Sequence, residues 1–397
     1  MLHSSEATGT STRSLHADDA LNIVRDVAPP MHLSTTFRYS KDPSTLVPAA
    51  DATPADYDPT THIYSRMSGS NPTRFETILS TLLHGHVISY SSGLSALHAA
   101  LTFLNPRRIS VGGGYHGCHG VIALFTRLTG LQKLDLDCPA EELGKGDVIL
   151  LETPVNPYGT AFDIASYAAK AQSRGAYLIV DSTFAPPGLQ EPFQFGADII
   201  MHSGTKYFGG HSDMLCGVLA TKNEEWAAQL KADRVFIGTV MGSMEGWLGV
   251  RSLRTLEIRV QRQSENAAHL ISWLDGALHA PNPASGSDEA AVQAVLGEVL
   301  HASLQKVEGD WLKKQMPNGF GPVFSIVMKE ERFAQHLPSK LHFFQHATSL
   351  GGVESLIEWR TMTDTTVDRN LLRVSIGLEN WEDLKADLAR AFRELVQ

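Results

Sequence analysis

Residues 199–207 read Ile199-Ile200-Met201-His202-Ser203-Gly204-Thr205-Lys206-Tyr207, an apolar run that breaks into a turn of hydroxyl residues and glycine and presents a lysine just beyond it. A short apolar run bounded by turn signals reads as a buried strand. Outward from it, residues 148–152 and 177–181 repeat the pattern and end in Glu152-Thr153-Pro154 and Asp181-Ser182-Thr183, while residues 94–104 and 164–174 carry helical periodicity. Strands separated by helices predict parallel βαβ units, hence an α/β fold with a mostly parallel central sheet. In open sheets of this kind ligands bind beyond the carboxyl ends of the strands, so the three polar turns are predicted to line one crevice.

The flanks differ. Residues 1–60 are rich in Ser, Thr, Pro, Ala and Asp, without sustained periodicity, and predict an N-terminal arm and loop, most irregular over 42–59. An α/β domain is expected over 61–255. Beyond it a helical pattern over 256–278, a polar breaker over 279–288, strand-like pieces at 323–328 and 371–376 and an amphipathic helix over 381–396 predict a smaller α+β domain spanning 256–397. The chain of 397 residues is 43% hydrophobic and 19% charged, long enough to bury a large core. A formal charge of −10 opposes docking on nucleic acid or an anionic membrane. Cys118, Cys138 and Cys216 are too few and too scattered for a disulfide framework, which fits a reducing compartment. With no apolar stretch of signal-peptide or membrane-spanning length, a cytoplasmic protein is expected.

A lysine held just past a buried strand is costly to keep charged, so Lys206 should have a depressed pKa or be covalently modified. Asp181 closes the apolar strand 25 residues upstream. Ser91-Ser92-Gly93-Leu94-Ser95 precedes a helical run, whose free N–H groups and dipole make an anion site, and Ser203 and Thr205 can add hydroxyls. Taken singly, these are also a loop lysine, a turn cap and a bland glycine turn. Together they are what pyridoxal 5′-phosphate (PLP) requires: an amine for its aldehyde, an acid for its pyridine nitrogen and donors for its phosphate. A carboxylate ~4 Å from that nitrogen, at an effective dielectric of ~20, is worth about 4 kcal/mol, or roughly three pKa units.

Ser91-Ser92-Gly93, Glu152-Thr153-Pro154-Val155-Asn156-Pro157, Val180-Asp181-Ser182-Thr183-Phe184 and Ser203-Gly204-Thr205-Lys206-Tyr207 with Gly210-His211-Ser212-Asp213 together resemble the Cys/Met-metabolism PLP enzymes. That family includes cystathionine γ-synthases, cystathionine lyases, methionine γ-lyases and O-acetylhomoserine sulfhydrylases. The likeness runs from Ser34-Thr35-Thr36-Phe37 to Arg373-Val374-Ser375-Ile376-Gly377-Leu378-Glu379. It implies the aspartate-aminotransferase-like fold, fold type I, and a homotetramer of two tight dimers with active sites shared between subunits. It implies Lys206 as the Schiff-base lysine and proton shuttle, Asp181 as the pyridinium partner and Tyr115 as the ring-stacking, acid/base tyrosine. Ser92, Gly93, Leu94, Thr183, Ser203 and Thr205 would hold the cofactor, with Asn156 near the ring hydroxyl. Tyr64 and Arg66 would reach the neighbouring subunit's phosphate. Arg373 and Ser349, with Thr348, Asn156 and Tyr64, would face the substrate.

The sequence departs from the family pattern at the expected mouth of the site. Met67-Ser68-Gly69-Ser70 makes the spacer between Tyr64-Ser65-Arg66 and Asn71-Pro72-Thr73 two residues longer than usual, and His116, Cys118, Glu245 and Thr348 stand at further changed positions. Gly112-Gly113-Gly114 lacks the rest of a nucleoside-triphosphate loop, and His116, Cys118 and His119 lack a second ligand pair at zinc spacing, so no metal is expected. The expected activity is γ-replacement on an O-activated homoserine, such as O-acetyl-L-homoserine, through a vinylglycine-type intermediate. The nucleophile is a thiol or a β-keto acid carbanion. The alternatives are a cystathionine or methionine γ/β-lyase and, from another class, a non-catalytic binding protein on the same fold.

Overall fold

The computed structural model describes residues 8–52 and 58–396. Of the expected N-terminal arm, residues 1–7 and 53–57 lie outside the described residues; the rest carries a short helix, Thr10–His16, two brief 3-10 turns and otherwise irregular chain.

The central sheet has seven strands: β1 His86–Tyr90, β2 Arg108–Val111, β3 Gln132–Asp135, β4 Val148–Glu152, β5 Tyr177–Asp181, β6 Ile199–Ser203 and β7 Gly217–Thr221, in the order β1-β7-β6-β5-β4-β2-β3. From β6 through β3 the pairing is parallel, as predicted. β7 departs from the expected pattern: it runs antiparallel to both β6 and β1. The chain returns from β6 through the lysine turn without a crossover helix, and a parallel strand would need one. From β4 to β7 the sheet is buried on both faces, while the edge strand β3 is largely exposed. Ile199 and Met201 of β6 pack on one side with Leu97 and Leu101 of the helix Gly93–Leu104, and Ile200 packs on the other with Phe75 and Tyr207. Burial on both faces is why these strands read as continuous apolar runs rather than alternating ones.

A second sheet, β10-β11-β12-β9-β8, is formed by β8 Leu296–Leu300, β9 Val323–Met328, β10 Gln345–His346, β11 Leu356–Trp359 and β12 Leu371–Ser375. The helix Leu256–Leu278, as predicted from its periodicity, joins the two units: Leu256 and Val260 enter the core beneath the first sheet, and Leu270, Ile271 and Leu274 the core beneath the second. The last helix, Trp381–Leu395, closes that core with Leu384, Leu388 and Phe392. Each such side chain contributes about 1.5–3 kcal/mol on burial, which fixes the second sheet against the first. Among the described residues no helix is long and apolar enough to cross a membrane.

Candidate active site

The carboxyl ends of β4, β5 and β6 open into a cavity of about 490 Å³. Its lining gathers Lys206, Asp181, Tyr115, Ser92, Gly93, Leu94, Asn156, Thr183, Ser203, Thr205, Arg373, Ser349 and Thr348. Only Tyr64 and Arg66, of the residues predicted for the site, stay outside it. Both are exposed; the Arg66 guanidinium lies 5.3 Å from the Tyr64 ring centre and donates to the Val235 carbonyl at 3.2 Å.

Lys206 is set by the turn after β6. Its N–H donates to Ser203 O at 3.1 Å, and Gly210 N donates back to its carbonyl at 2.6 Å. The side chain is thereby driven into the cavity, where Nζ donates to Ser349 Oγ at 2.7 Å. Burial, and then the positive charge of Arg373, lowers its pKa to about 8, against an opposing pull from Glu358. Ser349 holds this contact from a left-handed backbone conformation, φ 83°, that non-glycine residues adopt at a cost of order 1–3 kcal/mol.

Asp181 ends β5 directly opposite Glu152 of β4. Its Oδ1 accepts from Thr183 N at 3.0 Å and Thr183 Oγ1 at 2.5 Å, and that hydroxyl accepts from Ser203 N at 2.8 Å. Its other oxygen has no hydrogen-bond partner, and no cation lies within ion-pair distance, among the described residues. Burial therefore pushes the Asp181 carboxyl above the usual carboxylate range. A buried acid that lines a cavity without a counter-cation fits a ligand that brings its own cationic N–H.

The anion cradle lies at the start of the helix Gly93–Leu104. Ser92 caps it, its Oγ accepting from Ser95 N at 3.1 Å. Among the described residues that leaves the Gly93 and Leu94 N–H groups free at the positive end of the helix dipole. A Cβ on Gly93 would sit 3.1 Å from Ser203 Cβ, and one on Gly217 would overlap the Ser92 carbonyl, so both glycines permit the close approach of β6 and β7 to this helix start. The donors Ser203 and Thr205 stand beside it in the lining. Amine, acid and cradle thus occupy one cavity, and these residues fit PLP.

Tyr115 precedes the helix His116–Thr129 and is half-exposed, its ring packed so closely on Gly117 that a Cβ there would lie 2.6 Å from Cε1. Glu152 pins it from below: Oε2 accepts from Tyr115 N at 2.8 Å and Oε1 from Asn156 N at 2.7 Å. Burial, and then repulsion from Asp181, raises the Glu152 pKa. Arg373 arrives from β12; its Nη1 donates to Asn156 Oδ1 at 3.0 Å, and its Nη2 to Ser349 O at 2.8 Å and Glu358 Oε2 at 2.6 Å.

Sequence reasoning quoted Glu152 within a motif but gave it no role, and it missed Glu358, Arg360 and Thr363. Glu358 is the cross-strand partner of Arg373, a register that the connection between β11 and β12 conceals. Among the described residues no cluster of three or more His, Cys, Asp and Glu side chains is placed to hold a metal ion, and the three cysteines are free and buried.

The model of the Cys/Met metabolism PLP-dependent enzyme family matches residues 11–393. The chain is 32% identical to a cystathionine β-lyase of Lactococcus lactis subsp. cremoris, over 85% of this chain and 90% of that protein. It is also 32% identical to a cystathionine γ-synthase of Escherichia coli (strain K12), over 92% of this chain and 93% of that protein. Among solved structures, the metB protein of Corynebacterium glutamicum superposes with a TM-score of 0.85 at 28% identity, covering 99% of this chain and 100% of that one.

Proposed function

The chain belongs to the Cys/Met metabolism family of PLP-dependent enzymes, with their fold type I architecture, and from that premise we propose that it catalyses γ-replacement on an O-activated homoserine. When bound, PLP supplies an electron sink that makes the substrate's Cα and Cβ protons acidic. On this reading Lys206 anchors the cofactor through Nζ and Asp181 holds its ring nitrogen protonated. Gly93, Leu94, Ser92, Ser203 and Thr205 take the phosphate, Thr183 supports Asp181, and Tyr115 covers the ring. Arg373, oriented by Asn156 and Ser349, binds the α-carboxylate. Lys206 Nζ takes the Cα proton and relays one from Cβ, which lets the Cγ substituent leave and opens Cγ to a nucleophile. Tyr64 and Arg66, which stand outside their own chain's cavity, serve a second copy of the chain in a homotetramer.

The observation that carries the replacement reading is that Thr348, Thr363 and Arg360 line the same cavity as Arg373, so the cavity has a wall available to a second reactant. The likeness to a β-lyase as well as a γ-synthase supports elimination as the second reading. Incubation of the enzyme with O-acetyl-L-homoserine and cysteine, sulfide or acetoacetate, read by mass spectrometry, decides between them. The expected product is a γ-substituted amino acid; cleavage of cystathionine without any such product would establish the lyase.

The Lys206 environment makes a separate prediction. An amine attacks the PLP aldehyde only when unprotonated, and with a pKa of about 8 roughly a tenth of it is neutral at pH 7, against about one part in 3,000 for an ordinary lysine. PLP uptake by the PLP-free enzyme should rise about tenfold from pH 7 to 9 and then level off. Arg373→Gln removes a cation that depresses this pKa, so the midpoint should move up. Stopped-flow absorbance of PLP uptake measures both; a wild-type rate still climbing at pH 10 would contradict the buried-amine account.

A further inference from the structure

Arg360 lines the cavity but has no part in the chemistry above. It is 2% exposed, and its charge acts on Lys206, Glu152, Tyr115 and Arg373. Its donors are unevenly used. Nη1 reaches Glu358 Oε1 and Oε2 at 3.2 and 3.1 Å and the Thr363 hydroxyl at 2.7 Å. Nη2 makes one long contact, 3.4 Å, with Asp364 Oδ2, and Nε is buried with no partner among the described residues. The acids around it are committed elsewhere: Glu358 also binds Arg373 Nη2 at 2.6 Å, and Asp364 Oδ1 accepts from Thr366 N and Oγ1 at 2.9 and 2.6 Å. Buried guanidinium groups are ordinarily satisfied, so a cavity-lining arginine whose Nη2 has only one long contact marks where a ligand's acceptor completes the set.

The remaining lining sharpens the choice of ligand. Among the described residues its only acids are Glu152 and Asp181, at the carboxyl ends of β4 and β5, while Thr348 and Thr363 are uncharged. Once Arg373 holds the substrate's α-carboxylate, no carboxylate other than Glu152 and Asp181 is present in the described lining to pair with a second ammonium, whereas Arg360 can receive a second carboxylate.

We propose that Arg360 determines specificity for a second carboxylate, so that the reactants carry a carboxylate beyond the α-carboxylate and no second ammonium. This rests on the γ-replacement reading. The carboxylate comes either with the nucleophile, as in a β-keto acid or a thiol acid, or with the leaving acyl group. In the step itself the nucleophile's carbon or sulfur forms the bond to Cγ, and the proton it loses is taken up by the departing carboxylate, which leaves as the acid. The acyloxy group has left with the Cγ–O electron pair, and no oxidant or reductant is required.

The test compares kcat/KM within matched pairs in wild type, Arg360→Gln and Arg360→Lys: 3-mercaptopropionate against 2-mercaptoethanol, acetoacetate against methyl acetoacetate, and O-succinyl- against O-acetyl-homoserine. Wild type should favour the carboxylated member of the nucleophile pairs or of the leaving-group pair by roughly 10- to 100-fold, the scale of one hydrogen bond to a charged group, and which pair responds identifies the source. Arg360→Gln should collapse that ratio and Arg360→Lys should keep part of it. Because the readout is a ratio, general damage cancels, and the wild-type and lysine arms stand if the glutamine variant does not fold. Calorimetric titration of the holoenzyme with unreactive 3-(methylthio)propionate and with succinate should show binding weakened by the same factor in the variants. Arg360-dependent binding without any γ-substituted product would overturn the γ-replacement reading alone. Equal rates within every wild-type pair, or a ratio that Arg360→Gln leaves intact, would overturn this proposal.

Discussion

Lys206→Ala is expected to lower kcat by about four orders of magnitude or more, since in the proposed function one amine both anchors the cofactor and moves the substrate's protons. Two further measurements separate this from a structural lesion. Borohydride should fix PLP to the wild-type peptide that contains Lys206 and to no peptide of the variant. Small primary amines added to the variant should recover part of the proton transfer. Stability should move the other way. The folded-state pKa of Lys206, about 8, lies below the ordinary lysine value of 10.5, so below pH 8 the charged amine carries the full cost of burial. Between about pH 8 and 10.5 the unfolded chain binds a proton that the folded one does not, and stability gained from this group rises with pH. PLP-free Lys206→Ala should therefore melt no lower than wild type at pH 7, and its advantage should shrink as the pH approaches 10. A variant that keeps wild-type turnover would remove Lys206 from the chemistry altogether.

The same residue shows what the sequence makes legible. A turn of Ser203, Gly204 and Thr205 after an apolar run leaves few ways for the chain to go, so the position of Lys206 at a strand's carboxyl end, and of Asp181 and Glu152 beside it, follows from local pattern and the geometry of parallel sheets. The helix Leu256–Leu278 was equally readable because its apolar stripe spans many turns. β7 was not, because Gly217–Thr221 is a short apolar piece like its parallel neighbours, and its direction depends on the length of the return from β6. The far wall was hidden for a different reason. Arg373 was placed by resemblance, but its pairing with Glu358, and through Glu358 with Arg360, depends on a cross-strand register over an irregular connection that carries no periodic signal. Tyr64 and Arg66 mark a third limit: the role proposed for them belongs to an assembly, and the geometry of one chain, in which both lie outside the cavity, does not carry it.

Asp181→Asn should cost about a thousandfold in kcat while leaving the local structure almost untouched. Oδ1 of the asparagine can keep both bonds from Thr183, N–H at 3.0 Å and hydroxyl at 2.5 Å, so the link through Thr183 to Ser203 survives. What changes is the atom on the cavity side. A carboxylate oxygen there accepts from a protonated ring nitrogen, whereas an amide NH₂ donates and so selects the unprotonated ring, which is a weak electron sink. The thousandfold follows from losing about 4 kcal/mol of ion pairing, or roughly three pKa units on the ring nitrogen. Burial already raises the pKa of Asp181, and the variant removes that buried charge and its repulsion of Glu152, so PLP-free Asp181→Asn should be at least as stable as wild type near neutral pH. PLP affinity should fall with kcat, and the absorption spectrum of the bound cofactor should shift. PLP methylated at the ring nitrogen carries its charge permanently and should restore much of the lost turnover to the variant while giving wild type no gain. If Asp181→Asn keeps kcat within tenfold of wild type, or if the methylated cofactor restores nothing although it binds, Asp181 does not act through the ring nitrogen, and its open oxygen must serve another donor.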